Sequence, residues 1–262
     1  MDFIPHTVVY AAVSAFSLFV GMLVLLEVGR RLGARRRAKE ADGASVGVGA
    51  VEGAIFGLLG LLMAFTFSGA ASRFDTRRHL IVEETNAIGT AYLRLDLLPE
   101  SAQPALRERF RQYVDSRLAI YQKMPNLQAV RAELARSTQL QKELWRLTVA
   151  ACQADPTPQT TMLLLPALNQ MIDITTTRTM AAQMHPPLII FVMLFGLALA
   201  SSLLAGYGMA GARSRNWLYM VGFVVTLTSA VYVILDLEYP RLGLIRVDAF
   251  DQALVDLRES MQ

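Results

Sequence analysis

The chain has 262 residues, 53% of them hydrophobic and 18% charged, with a formal net charge of +3. So apolar and so lightly charged a composition excludes an ordinary water-soluble enzyme. The single cysteine, Cys152, excludes an intrachain disulfide, and the scattered His6, His79 and His185 exclude a dense metal framework.

Thr7–Leu26 is the first of four stretches long and apolar enough to cross a bilayer, which takes about 20 residues; the others are Val46–Ala71, Pro187–Gly206 and Trp217–Leu237. The predicted fold class is an all-α membrane protein. Four transmembrane helices carry a helical extramembrane insertion between spans two and three, and both of these spans continue into it. No Lys or Arg precedes the first span and no small-x-small site follows it, so it reads as a retained span rather than a cleaved leader. In domain terms, 1–29 is the first span, 30–46 a basic cytoplasmic loop and 47–98 the second span with a long extension. The insertion is 99–186, the third span 187–208, a short loop with the fourth span 209–237, and an amphipathic tail 238–262.

The run "GRRLGARRRAKE" places six basic residues between Arg30 and Lys39. Basic residues directly behind a span mark the cytoplasmic side, and Arg213 and Arg215 in the loop between spans three and four agree. This puts the insertion and both termini outside the cytoplasm. The basic run suits anionic lipid headgroups better than nucleic acid, because a short loop pinned between two spans is poorly placed for the latter.

In the second span Gly49, Gly53, Gly57, Gly60, Ala64 and Ser68 recur every three or four residues. Such a stripe serves either close helix–helix packing or the lining of a narrow pathway. Glu52 interrupts the apolar run near its cytoplasmic end; it is either a functional intramembrane carboxylate or a partner for the basic loop. Beyond Arg73 the positions Phe74, Ile81, Thr85, Ile88, Tyr92 and Leu95 keep helical spacing, and no Pro intervenes before Pro99. One helix of about 50 residues, roughly 75 Å long at 1.5 Å per residue, is predicted from Gly49 to Leu98.

The next helix has Ser101 as N-cap, Pro104 in its first turn, and the stripe Leu106, Phe110, Tyr113, Val114, Leu118 and Tyr121. Pro125-Asn126 marks a turn. A third insertion helix covers Leu127–Ala154, and a fourth, Thr160–Met184, contains Pro166. After "YPRLGLIRV", Asp248 caps an amphipathic helix with Phe250, Leu254, Leu257 and Met261 on one face. That helix lies on the membrane or packs on the insertion.

Spans two and three are antiparallel, so equal rises per residue set Glu84 level with about residue 175 and Asn86 with about 173. Glu84 is then within reach of Arg178, and Asn86 of Asp173, with Asn169 on the same face as Asp173. Arg73, Asp75 and His185 form a second polar layer. The candidate roles are a buried structural network, a ligand or ion site, and a catalytic dyad. No nucleophile–base pair, phosphate-binding glycine loop or H-E-x-x-H spacing is present, so no enzyme activity, cofactor or metal is expected.

Three stretches resemble the bestrophin-like domain family of bacterial membrane proteins. They are "FGLLGLLMAFTFSGAASRFDTRRHLIVEETNAIGTAYLRLDLLP", "LLPALNQMIDITTTRTMAAQMHPPLIIFVMLFG" and "ILDLEYPRLGLIRVDAF". Glu84, Asn86, Tyr92 and Pro99 match the family's acidic residue and Asn ahead of its Tyr-Leu-Leu-Pro stretch, and Asp236 matches its Leu-Asp-Leu. The family pattern has an Arg before the last Pro; here Glu238-Tyr239 precede Pro240 and Arg241 follows. True bestrophins are pentameric anion channels with their bulk in the cytoplasm. The resemblance thus implies a homo-oligomeric, channel-like protein, whereas the basic run argues for an external insertion. The alternative function is a membrane scaffold or sensor whose insertion binds a ligand or partner protein.

Overall fold

Helical periodicity dominates the chain, and the computed structural model is predominantly helical over its described residues, 7–39, 48–124, 126–154, 158–211, 216–241 and 243–261. The helices are α1 (Thr7–Lys39), α2 (Val48–Leu93), α3 (Gln103–Gln122), α4 (Leu127–Ala154), α5 (Pro158–Gln183), α6 (Leu188–Gly208), α7 (Trp217–Glu238) and α8 (Asp248–Ser260). Four helical stretches, in α1, α2, α6 and α7, are long and apolar enough to cross a membrane.

Three boundaries differ from the sequence reading. The basic run expected as a loop from Arg30 is helical as far as Lys39. Glu27 supports it by pairing with Arg30 (3.1 Å) and Arg31 (2.8 Å), and Arg36, Arg37 and Lys39 in the last turn suit the helix C-terminus. The N-cap of α3 is Ala102 rather than Ser101, because Pro104 occupies the first turn and holds the start at Gln103. Finally, α2 closes through a 3-10 turn, Arg94–Leu97, and Leu98 is extended, as a residue before Pro must tend to be. The remainder of the basic loop, Arg213, Arg215 and Pro125 lie outside the described residues.

The chain divides into two units. One comprises His6–Ser72 and His185–Ile245. Its core follows the apolar periodicity of three helices: Ala15, Leu18, Met22 and Leu26 of α1, Leu194 and Ala198 of α6, and Met220, Val224 and Val231 of α7. The helices α1 and α6 approach backbone to backbone. A Cβ on Gly29 would lie 1.9 Å from the Leu203 carbonyl oxygen, and one on Gly206 would lie 1.9 Å from that of Leu26. Only glycine permits this contact, which lets α1 and α6 pack closely.

The other unit comprises Arg73–Met184 and Arg246–Gln262. Its core joins Ile88, Ala91, Tyr92 and Leu95 to Leu106, Phe110, Tyr113 and Val114 of α3, Leu144 of α4, and Leu164, Leu168 and Met171 of α5. Leu254 and Met261 belong to the same core, so α8 packs on this unit. Asn126 caps α4, its Oδ1 accepting from the Ala129 N–H at 3.1 Å. Arg77 is buried and donates to the carbonyls of Ala181 (3.3 Å) and Met184 (2.9 Å), which satisfies acceptors at the end of α5.

Candidate functional site

Within this second unit the buried faces of α2, α3, α5 and α8 bring four charged side chains together. Glu84 is fully buried and Arg117 is 1% exposed. Arg117 engages it side-on, Nε to Oε1 at 2.5 Å and Nη2 to Oε2 at 3.2 Å. Arg178 Nη1 also donates to Glu84 Oε2, and its Nη2 reaches Asp251 Oδ1 at 3.2 Å. Two carboxylates and two guanidiniums make the group neutral as a whole, the condition under which buried ions are tolerated. Tyr121 adds its hydroxyl as an acceptor for Arg117 Nη2 (3.1 Å), and its ring lies 4.2 Å from the Arg178 guanidinium.

Burial alone pushes the Glu84 carboxyl up, and the guanidiniums of Arg117 and Arg178 more than offset it, holding it below the usual carboxylate range. Beneath the charges, Tyr113 bonds to Thr175 (2.7 Å) and accepts from Gln141 Nε2 (3.1 Å). Burial pushes the Tyr113 phenol up to about 12, so it stays neutral as a hydrogen-bonding group. Nη1 of Arg117 is buried without a hydrogen-bond partner.

Glu84 and Arg178, paired by height in the sequence, meet in the structure. Arg117 and Asp251 were missed. The signal for Arg117 was present: it is four residues from both Tyr113 and Tyr121, on the face those residues bury. The sequence reading put Leu118 in that stripe, where it packs half-buried against the core, and passed over its buried neighbour Arg117. Asp251 had no comparable signal, because its contact depends on where α8 docks.

The other candidates are placed elsewhere. Asn86, Asn169 and Asp173 are exposed and line an open cleft of about 640 Å³ together with Glu83, Thr90 and Thr177. There Asp173 accepts from Asn169 (3.1 Å) rather than pairing with Asn86. The proposed layer of Arg73, Asp75 and His185 takes other partners: Asp75 pairs with Arg78 (3.0 Å), and His185 lies 3.4 Å from buried Glu238. Arg73 is half-buried. Near the end of α7, Asp236 is buried and accepts from the backbone N–H groups of Leu244 (3.0 Å) and Ile245 (2.8 Å).

The small-residue stripe is open. A Cβ on Gly49, Gly53, Gly57 or Gly60 would meet nothing within 4 Å, and Ala64 and Ser68 are exposed. The same face continues along α2 at three- and four-residue steps through Ser72, Asp75, His79, Glu83, Asn86 and Thr90, all exposed. This face of α2 is small in the apolar half and polar in the other, and in the apolar half large side chains such as Leu58, Leu61 and Phe65 are exposed beside it. Glu52, at the edge of this face, is half-buried, with a carboxylate oxygen that is buried without a hydrogen-bond partner.

The Bestrophin-like domain model matches residues 15–249. Two crystal structures of a bacterial bestrophin homologue from Klebsiella pneumoniae share the fold. One, carrying a tyrosine-to-alanine mutation, is 16% identical with a TM-score of 0.64, over 91% of this chain and 98% of that one. The other, carrying a tryptophan-to-alanine mutation, is 15% identical with a TM-score of 0.65, over 94% and 98%. No curated protein matches the chain.

Proposed function

The chain belongs to the bestrophin-like domain family, and from that premise we propose that it is a homo-oligomeric, channel-like protein whose uncovered α2 face borders an ion pathway. The carrying observation is that face: twelve positions from Gly49 to Thr90 at helical spacing, every one exposed. In the apolar half this face offers small side chains and open space where subunits can meet along a path, and beyond Ser72 it continues as a polar face in water. Small side chains leave room in the apolar half, and Ser, Asn, Thr and carboxylates hydrate the other. The residues 73–184 form the extramembrane part in this reading, and the Arg30–Lys39 run argues for their lying outside the cytoplasm.

Mass in detergent and ion flux from proteoliposomes test it together. A defined oligomer that releases ions supports the proposal; a monomer, or an oligomer without flux, overturns it. The second reading, a scaffold or sensor, is favoured by the polar cleft beside Asn86 and Asp173. It predicts a ligand-dependent rise in stability without flux.

A further inference from the structure

The end of α1 is rich in cationic groups, with Arg36, Arg37 and Lys39 in its last turn. Glu27 engages Arg30 and Arg31. Among the described residues no carboxylate pairs with Arg35, Arg37 or Lys39. The close packing of α1 on α6 then fixes two arginines of this run. Arg36 Nη1 donates to the Tyr207 hydroxyl at 3.0 Å. Arg37 lies against the backbone of Gly211, where a Cβ would sit 1.7 Å from Nη1.

Tyr207 directly follows the apolar stretch of α6, the level at which tyrosines anchor helices in the interface. Arg36 therefore reaches the headgroup level even though its own Cα lies well past the apolar part of α1. Leading to it, Val24, Val28 and Leu32 form an exposed apolar ridge on α1 at four-residue steps. An apolar ridge ending at splinted guanidiniums and a phenol has the layout of a lipid: acyl chain, then phosphate.

We propose that this corner of α1 and α6 binds an anionic glycerophospholipid. Arg36 and Arg37 donate to its phosphodiester, Tyr207 orients Arg36, and one acyl chain lies along Val24, Val28 and Leu32. Guanidinium suits this role because its planar fork meets two phosphate oxygens at once. The site goes beyond the channel reading and does not depend on it.

The test uses the full chain in neutral detergent, with phosphatidylglycerol, phosphatidylcholine or inorganic phosphate added at matched concentrations. Phosphatidylglycerol is expected to raise the melting temperature by several degrees, saturably, and to co-migrate with the protein in native mass spectra. Phosphatidylcholine and inorganic phosphate are expected to do neither. The double variant R36Q/R37Q and the variant Y207F should lose at least half of the shift, whereas R31Q should keep it, because Arg31 belongs to Glu27. If a variant is too unstable to melt cleanly, its bound-lipid count decides. Equal shifts with both lipids, an equal shift with free phosphate, or an undiminished shift and count in R36Q/R37Q would each overturn the assignment.

Discussion

Arg117 and Glu84 form a side-on pair, 2.5 Å and 3.2 Å between the two sets of atoms, with both side chains essentially out of water. Arg178 shares the same carboxylate but also holds Asp251, which keeps 16% of its side-chain surface exposed. The two arginines are therefore unequal. R117M leaves a surplus negative charge among fully buried groups, and a loss of about 3–5 kcal/mol is expected. R178M leaves its surplus near solvent at Asp251, and about 1–3 kcal/mol is expected. Thermal or denaturant unfolding in one detergent compares them; equal losses would mean that Asp251 does not share the load. The reciprocal swap E84R/R178E should recover little, since it sets the new arginine against Arg117.

Acid should unfold this network in a predictable direction. The folded-state carboxyl of Glu84 titrates below its unfolded value of about 4.3. Its contribution is therefore fully present above the unfolded value and is lost as pH falls through the folded one. The melting temperature is expected to be level from neutrality to about pH 5 and to fall below that. E84Q should start lower and show a shallower acid limb. An acid limb in E84Q as steep as in the parent would assign acid sensitivity to other carboxylates.

The glycines of α1 and α2 should fail in different ways. Gly29 meets a backbone oxygen within the protomer, so G29A must move a helix and should destabilise the isolated chain. Gly57 meets nothing, so G57L should leave protomer stability unchanged and act only on assembly and flux, at about 1–3 kcal/mol of overpacking between subunits. Leu58, off the stripe, should accept L58I without effect. Size-exclusion mass and melting curves separate the two cases; a G57L protein of native mass and flux would remove the stripe from the proposed pathway.

Orientation has a direct readout. With the basic run on the cytoplasmic side, alkaline phosphatase fused at Asn126, between α3 and α4, should be active and a fluorescent reporter there dark. The reverse pattern would place residues 73–184 in the cytoplasm and show that six basic residues had not set the topology.

Much of this protein follows from one-dimensional pattern, because helices in and near a membrane obey local rules. Runs of about 20 apolar residues, three-and-four spacing and proline punctuation mark out α1 to α8. The same regularity let Glu84 be matched to Arg178, since two antiparallel helices with a fixed rise per residue can be aligned by counting. Counting fails once a third and a fourth helix are involved. That Arg117 completes the pair, that Asp251 closes it, and that Arg77 satisfies the end of α5 depend on how helices are rotated and docked, which no spacing records. The glycines make the same point. Gly29, Gly33 and Gly206 and the longer stripe from Gly49 to Gly60 look alike as sequence. Only tertiary packing presses the first three against backbone and leaves the other four open, because close approach is a property of two helices and not of one.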